Sequence, residues 1–127
     1  MVASVSSRTL ATDTAFSGPN ISITGGTINS DRATAGAGLT HALGNAAISN
    51  ATHNFTAGTN VTSGTAAIQL GNITNASGSG GNATLNPTTA NLIITGGYEG
   101  VTNTGTNGVI FGGTSSGNSI AGDIKNG

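Results

Sequence analysis

Residues 54–86 read N-FTAGTNVTSGTAAIQLGNITNASGSGGNATL-N, and this stretch decides the fold. Short apolar pieces stand at Phe55, Val61, Ala67-Ile68-Gln69-Leu70, Ile73 and Ala83-Thr84-Leu85. Gly58, Gly64, Gly71 and the run Gly78 to Gly81 punctuate them. Apolar residues alternating with polar ones over a few positions and bounded by Gly, Asn and Ser are the mark of short strands joined by turns. Gly and Asn are the residues that tolerate the backbone angles of tight corners.

The same beat extends in both directions. In PNISITGGTIN (Pro19 to Asn29), Ile21 and Ile23 alternate with polar neighbours, Gly25-Gly26 turns the chain and Thr27-Ile28 resumes. TANLIITGGY (Thr89 to Tyr98) supplies the most apolar strand, followed by Val109-Ile110-Phe111, Ile120 and Ile124. Between Ala33 and Ser49, Leu39, Leu43 and Ala47 fall at helical spacing. Gly36, Gly38 and Gly44 interrupt them, each costing a helix about 1 kcal/mol relative to alanine, so loop and strand are expected there. Residues 1–18 read as a flexible lead or a first strand, and 19–127 as a single β-rich domain. The apolar beats recur every 6 to 12 residues without a fixed period.

Leu, Ile, Val and Phe make up about a fifth of the 127 residues, with three Phe, one Tyr and no Trp. So little bulk suits a narrow core to which each strand gives one or two aliphatic side chains. The expected fold is therefore all-β, a β-solenoid whose coils bury their apolar faces against neighbouring coils, with a β-sandwich as the alternative.

Charge narrows the function. Only 6% of residues are charged and the net charge is -1, against roughly 25% charged residues in an ordinary domain. Arg8, Arg32 and Lys125 lie far apart in sequence, whereas nucleic-acid binding needs clustered cations, as does attachment to an anionic membrane surface. No nucleic-acid partner and no membrane insertion are expected, since no stretch approaches the roughly 18 apolar residues of a spanning helix. Cysteine is absent, which removes disulfides and thiolate metal sites.

The C-terminal stretch VIFGGTSSGNSIAGDIKNG (Val109 to Gly127) resembles the lead-in to the autotransporter-associated β-strand repeat, found in very large bacterial surface and secreted proteins. FTAGTNVTSGTAAIQLGNIT (Phe55 to Thr74) and PTTANLIITGGYEG (Pro87 to Gly100) share its character. The Lys-x-Gly-x-Gly-Thr strand that typically follows in that repeat is not in these residues. The resemblance implies a right-handed β-solenoid segment at a cell surface, structural or adhesive, with no catalytic residues to carry over. On this reading Gly108 to Gly127 is an unfinished last coil and the domain is truncated at its C-terminal side. The export signal then lies outside the chain, and Met1 is an internal or introduced start.

Individual residues offer little chemistry. His41 and His53 lack any metal-ligand spacing and are expected to be ordinary surface or turn histidines. Asp13, Asp31, Glu99 and Asp123 are isolated in sequence, with Asp31 and Glu99 the one mid-chain pair that could serve glycoside hydrolysis. FGGTSSGN (Phe111 to Asn118) lacks the aspartate of a calcium-binding nonapeptide and reads as a corner. GSGG (Gly78 to Gly81) has no following Lys and reads as a turn. TNTGT (Thr102 to Thr106) would set Thr102, Thr104 and Thr106 on one face, as in ice-binding solenoids, although threonine's β-propensity accounts for it. The sequons at Asn20, Asn50, Asn54, Asn60, Asn72, Asn75 and Asn82 follow from a composition rich in Asn and Thr. No catalytic, cofactor-binding or metal-binding residue is assigned, no cofactor is expected, and the chain is not expected to be an enzyme. The expected role is a structural or adhesive segment, extracellular or at a bacterial cell surface, contacting carbohydrate or neighbouring copies through exposed solenoid ends. The alternatives are a trimeric phage tail-fibre or tailspike-like glycan-recognition module, suggested by ITGGTIN (Ile23 to Asn29), and an ice-binding solenoid.

Overall fold

A computed structural model of the chain describes residues 3–5, 7–15, 17–75, 77, 80–101 and 107–125. Strands are numbered along the chain. Sheet 1 holds β1 (Ala3–Val5), β3 (Ile21–Ile23), β7 (Ala46–Ile48), β11 (Ile73–Asn75), β14 (Tyr98–Gly100) and β17 (Ile124–Lys125). Sheet 2 holds β2 (Arg8–Ala11), β4 (Gly26–Asp31), β8 (Thr52–Ala57), β12 (Gly81–Pro87) and β15 (Asn107–Phe111). Sheet 3 holds β6 (Thr40–Ala42), β10 (Ala66–Leu70), β13 (Ala90–Ile94) and β16 (Ser119–Ile120). A small extra ladder pairs β5 (Gly36–Ala37) with β9 (Val61–Ser63). From β3 onward the chain visits sheets 1, 2 and 3 in turn, while the first coil reaches sheet 3 only through a bridge from Ser17 to Ala42. Every strand pairing among the described residues is parallel. This is a β-solenoid of about four turns, with no helix among the described residues. The sandwich alternative falls, because consecutive strands pair with the next coil and not with each other.

Alternation puts every second side chain inside. In sheet 1, Ile21, Ala46, Ile73 and Tyr98 stack in one buried rank. In sheet 3, Ile68 stacks on Leu92 and Leu70 on Ile94. In sheet 2, Ile28, Phe55 and Pro87 form another rank. Each fully buried aliphatic or aromatic side chain contributes about 1.5–3 kcal/mol, so the thin core depends on repetition of these ranks.

Residues 33–49, where helical spacing competed with glycine, form β5, β6 and β7. Residues 3–5 and 8–11 form a first coil that pairs with β3 and β4 and buries Leu10. Asp13 links that coil to the next: it accepts hydrogen bonds from the Thr34 amide and hydroxyl, both 2.9 Å, and lies 3.4 Å from the Arg32 guanidinium. Those hydrogen bonds first, and Arg32 after them, hold its carboxyl below the usual range.

The missing sequence period has a simple origin. In sheet 1, Ile21 lies beside Ala46, Ala46 beside Ile73, Ile73 beside Tyr98 and Tyr98 beside Ile124, steps of 25, 27, 25 and 26 positions. In sheet 2, however, Thr52 lies beside Thr84, a step of 32, and in sheet 3 Ala66 lies beside Ala90, a step of 24. The fourth coil has a longer connection out of sheet 1 and passes from β12 to β13 without the detour that β5 and β9 make in earlier coils. Length moves from one corner to another while the coil as a whole stays nearly constant.

Candidate functional site

The corner that leads from sheet 3 into sheet 1 is built from one repeated device. Asn20, Asn45 and Asn72 each precede the first residue of a sheet 1 strand, and each lies directly below its successor. The Asn45 amide donates to Asn20 Oδ1 (2.8 Å), the Asn72 amide to Asn45 Oδ1 (2.8 Å), and the Gly97 amide to Asn72 Oδ1 (3.0 Å). The residues before Asn45 and Asn72 are glycines for a steric reason, while Pro19 precedes Asn20 at the first rank. A Cβ on Gly44 would collide with Asn20 Oδ1, and one on Gly71 with Asn45 Oδ1.

At the next rank Gly97 replaces asparagine, and the side-chain ladder stops. Beside this break a polar trough of about 500 Å³ runs across four successive ranks. Asn45, Asn72 and Thr74 line it from the earlier coils, Glu99 from β14, Asp123 from the corner before β17 and Lys125 from β17 itself. Glu99 and Lys125 are register neighbours on the outward column of sheet 1, which reads Ser22, Ala47, Thr74, Glu99, Lys125. This column gathers two of the chain's seven charged side chains, and Asp123 at the adjoining corner adds a third.

A second concavity, about 310 Å³, opens at the last coil among Leu92, Ile94, Phe111, Ile120 and Ile124. It is apolar, and Phe111 and Ile124 are half exposed there, at 50% and 52%. Strands β15, β16 and β17 stand at the ends of their sheets.

The histidines correct the sequence reading, which put them at the surface or in turns: both are interior. His41 is fully buried in β6, its Nδ1 2.7 Å from Ser30 Oγ on the facing sheet. His53 is buried in β8 with Nε2 donating to the Ser49 carbonyl at 3.0 Å, while its Nδ1 has no hydrogen-bond partner among the described residues. Desolvation lowers both pKa values below the usual histidine range, opposed at His53 by the Ser49 bond. Their signal was available: Phe55 and Leu43 are core residues two positions further on, so strand parity places His53 and His41 inside.

The acids do not converge as the sequence allowed. Asp31 ends β4 and accepts from the Arg32 and Asn60 amides (2.8 and 3.0 Å), whereas Glu99 sits on sheet 1 three coils later. Among the described residues no three His, Cys, Asp or Glu side chains group as metal ligands would. FGGTSSGN forms the corner between β15 and β16, where Asn118 Oδ1 accepts from the Leu92 amide at 2.8 Å. Of GSGG, Gly80 and Gly81 are described and the latter opens β12, while Gly78 and Ser79 lie outside the described residues, as does TNTGT. Several sequon asparagines carry coil-to-coil contacts: Asn86 donates to Asn54 (2.6 Å), Asn75 to Asn50 (2.7 Å), and Asn60 to the Arg32 carbonyl (2.8 Å). No protein-family model, curated protein or solved structure matches this chain.

Proposed function

We propose that the chain is a non-enzymatic, structural or adhesive β-solenoid segment of a bacterial cell-surface or secreted protein, of the kind that carries the autotransporter-associated β-strand repeat. The observation that supports this reading is the unbroken parallel ladder of sheet 1, in which six strands from successive coils stack in register. Such a ladder propagates along one axis, each coil burying its apolar face against the next. It suits a stiff spacer that displays short polar corners to its surroundings. The resemblance of residues 109–127 supplies the cellular setting, extracellular or at the cell surface.

The partners on this reading are carbohydrate at the polar corners and neighbouring copies at the apolar face of the last coil. Phe111, Ile120 and Ile124 leave water when that face is covered, and the open edges of β15, β16 and β17 gain backbone partners. The test is light scattering coupled to small-angle X-ray scattering. An elongated monomer, or open chains of monomers at high concentration, is the expected result. A closed trimer would replace this reading with a phage-type glycan-recognition fibre, and freezing hysteresis in the same sample would replace it with an ice-binding solenoid.

A further inference from the structure

The polar trough lies at the rank of the corner where Gly97 stands in place of asparagine. In the earlier ranks the asparagine reaches up to the amide of the next coil and fills the corner. Gly97 has no such arm, and the Asp123 backbone packs where its Cβ would stand. The concavity lies alongside, lined by Asn72, Gly96, Gly97 and Asp123. Three kinds of polar residue then line one concavity: the asparagines Asn45 and Asn72, Thr74, and the charged Glu99, Asp123 and Lys125.

We propose that this trough binds a neutral oligosaccharide, an inference that rests on the adhesive reading above and names its ligand class and place. A sugar hydroxyl both donates and accepts, and needs carboxylate or carbonyl acceptors interleaved with ammonium or amide donors. The trough supplies that mixture, with charges of both signs. A polyanion would need clustered cations, and here Lys125 stands beside two carboxylates. An apolar ligand would need an apolar wall, which belongs to the other concavity at the last coil. Binding through hydrogen bonds to charged groups is directional, so the individual side chains are decisive.

The test is an NMR titration of the full chain with xylohexaose, maltohexaose and cellohexaose at millimolar concentration, with spermidine as a cationic comparison. Saturable amide shifts at Gly96, Gly97, Glu99 and Lys125 are expected with at least one sugar. Glu99→Gln and Lys125→Ala, both at exposed positions, should each weaken that binding about tenfold. Ser22→Ala, on the same outward column but three coils away, should leave it unchanged. Shifts that ignore both substitutions, the absence of saturable shifts with all three sugars, or saturation by spermidine alone would overturn the proposal. Should Lys125→Ala disturb the fold, Thr74→Val reads the same wall from an earlier coil. The scattering experiment stands apart: an elongated particle that binds no sugar keeps the solenoid role and loses the ligand, whereas a closed trimer loses the role itself.

Discussion

The corner entering sheet 1 and the corner leaving it join the same strands by different chemistry. The entering corner repeats a glycine and an asparagine at nearly constant steps, and its hydrogen bonds run from each side chain to the backbone of the next coil. The leaving corner varies in length, and its closure is internal. Asn75 donates to Asn50 (2.7 Å), Asn50 to Asn107 (3.3 Å), and Asn107 to the carbonyls of Ser77 and Val101 (2.8 and 2.7 Å). Tyr98 adds its hydroxyl, 2.9 Å from the Gly108 carbonyl, and burial pushes its phenol pKa up. A regular corner can leave its asparagines at the surface because backbone satisfies them. An irregular one exposes no such template, so buried side chains must meet the freed peptide groups.

That contrast is broken most directly at Asn107, which is fully buried. Asn107→Ala removes a donor shared by two carbonyls and leaves the Asn50 amide without its acceptor there. The expected loss is about 3 kcal/mol, read as a lower urea midpoint. An effect under about 1 kcal/mol would mean that water replaces the network, as at an exposed site.

Gly71→Ala probes the entering corner and should cost about 2 kcal/mol, because the new Cβ meets Asn45 Oδ1. Asn45→Ala alone should cost about 1 kcal/mol, the worth of one ordinary hydrogen bond. The double variant sharpens the point: removing Asn45 also removes the collision, so its cost should fall short of the sum. Strict additivity would show that the two residues do not share one packing constraint.

Much of this architecture was legible in the sequence, and the reasons for the exceptions are local. Alternation at Ile21, Ile23 and Ile28, and again at Leu92 and Ile94, fixed which side chains face inward, since strand geometry has a period of two. Gly44-Asn45, Gly71-Asn72 and Gly122-Asp123 already mark the entering corner. Their regularity is hidden because the 32-residue step in sheet 2 and the 24-residue step in sheet 3 shift everything between them. His41 and His53 were misplaced for want of carrying strand parity through polar residues. The trough could not be read at all, because Asn45, Asn72, Glu99, Asp123 and Lys125 come together only once the coils are stacked.

His53 gives the finest test of the two corners. It belongs to the leaving corner, bonded to Ser49, whereas Asn20, Asn45 and Asn72 at the entering corner do not titrate. Burial lowers the folded pKa of His53 and, at His41, does the same. Below about pH 6.5 the unfolded chain therefore takes up protons that the folded interior resists. Stability is present above the unfolded histidine pKa and declines as the pH falls beneath it. The slope is bounded at about 1.4 kcal/mol per pH unit for each histidine, and less than that applies between pH 7 and 6, where the unfolded imidazole is only partly protonated. His53→Leu places in β8 the residue type that its neighbour Leu85 already supplies one coil on. Urea midpoints measured from pH 7.5 to 5.5 should fall less steeply for this variant than for the parent chain, while Asn45→Ala should keep the parent slope. Equal slopes for all three would assign the acid sensitivity to His41, whose Nδ1 meets Ser30 Oγ, and would make the leaving corner as indifferent to protons as the entering one.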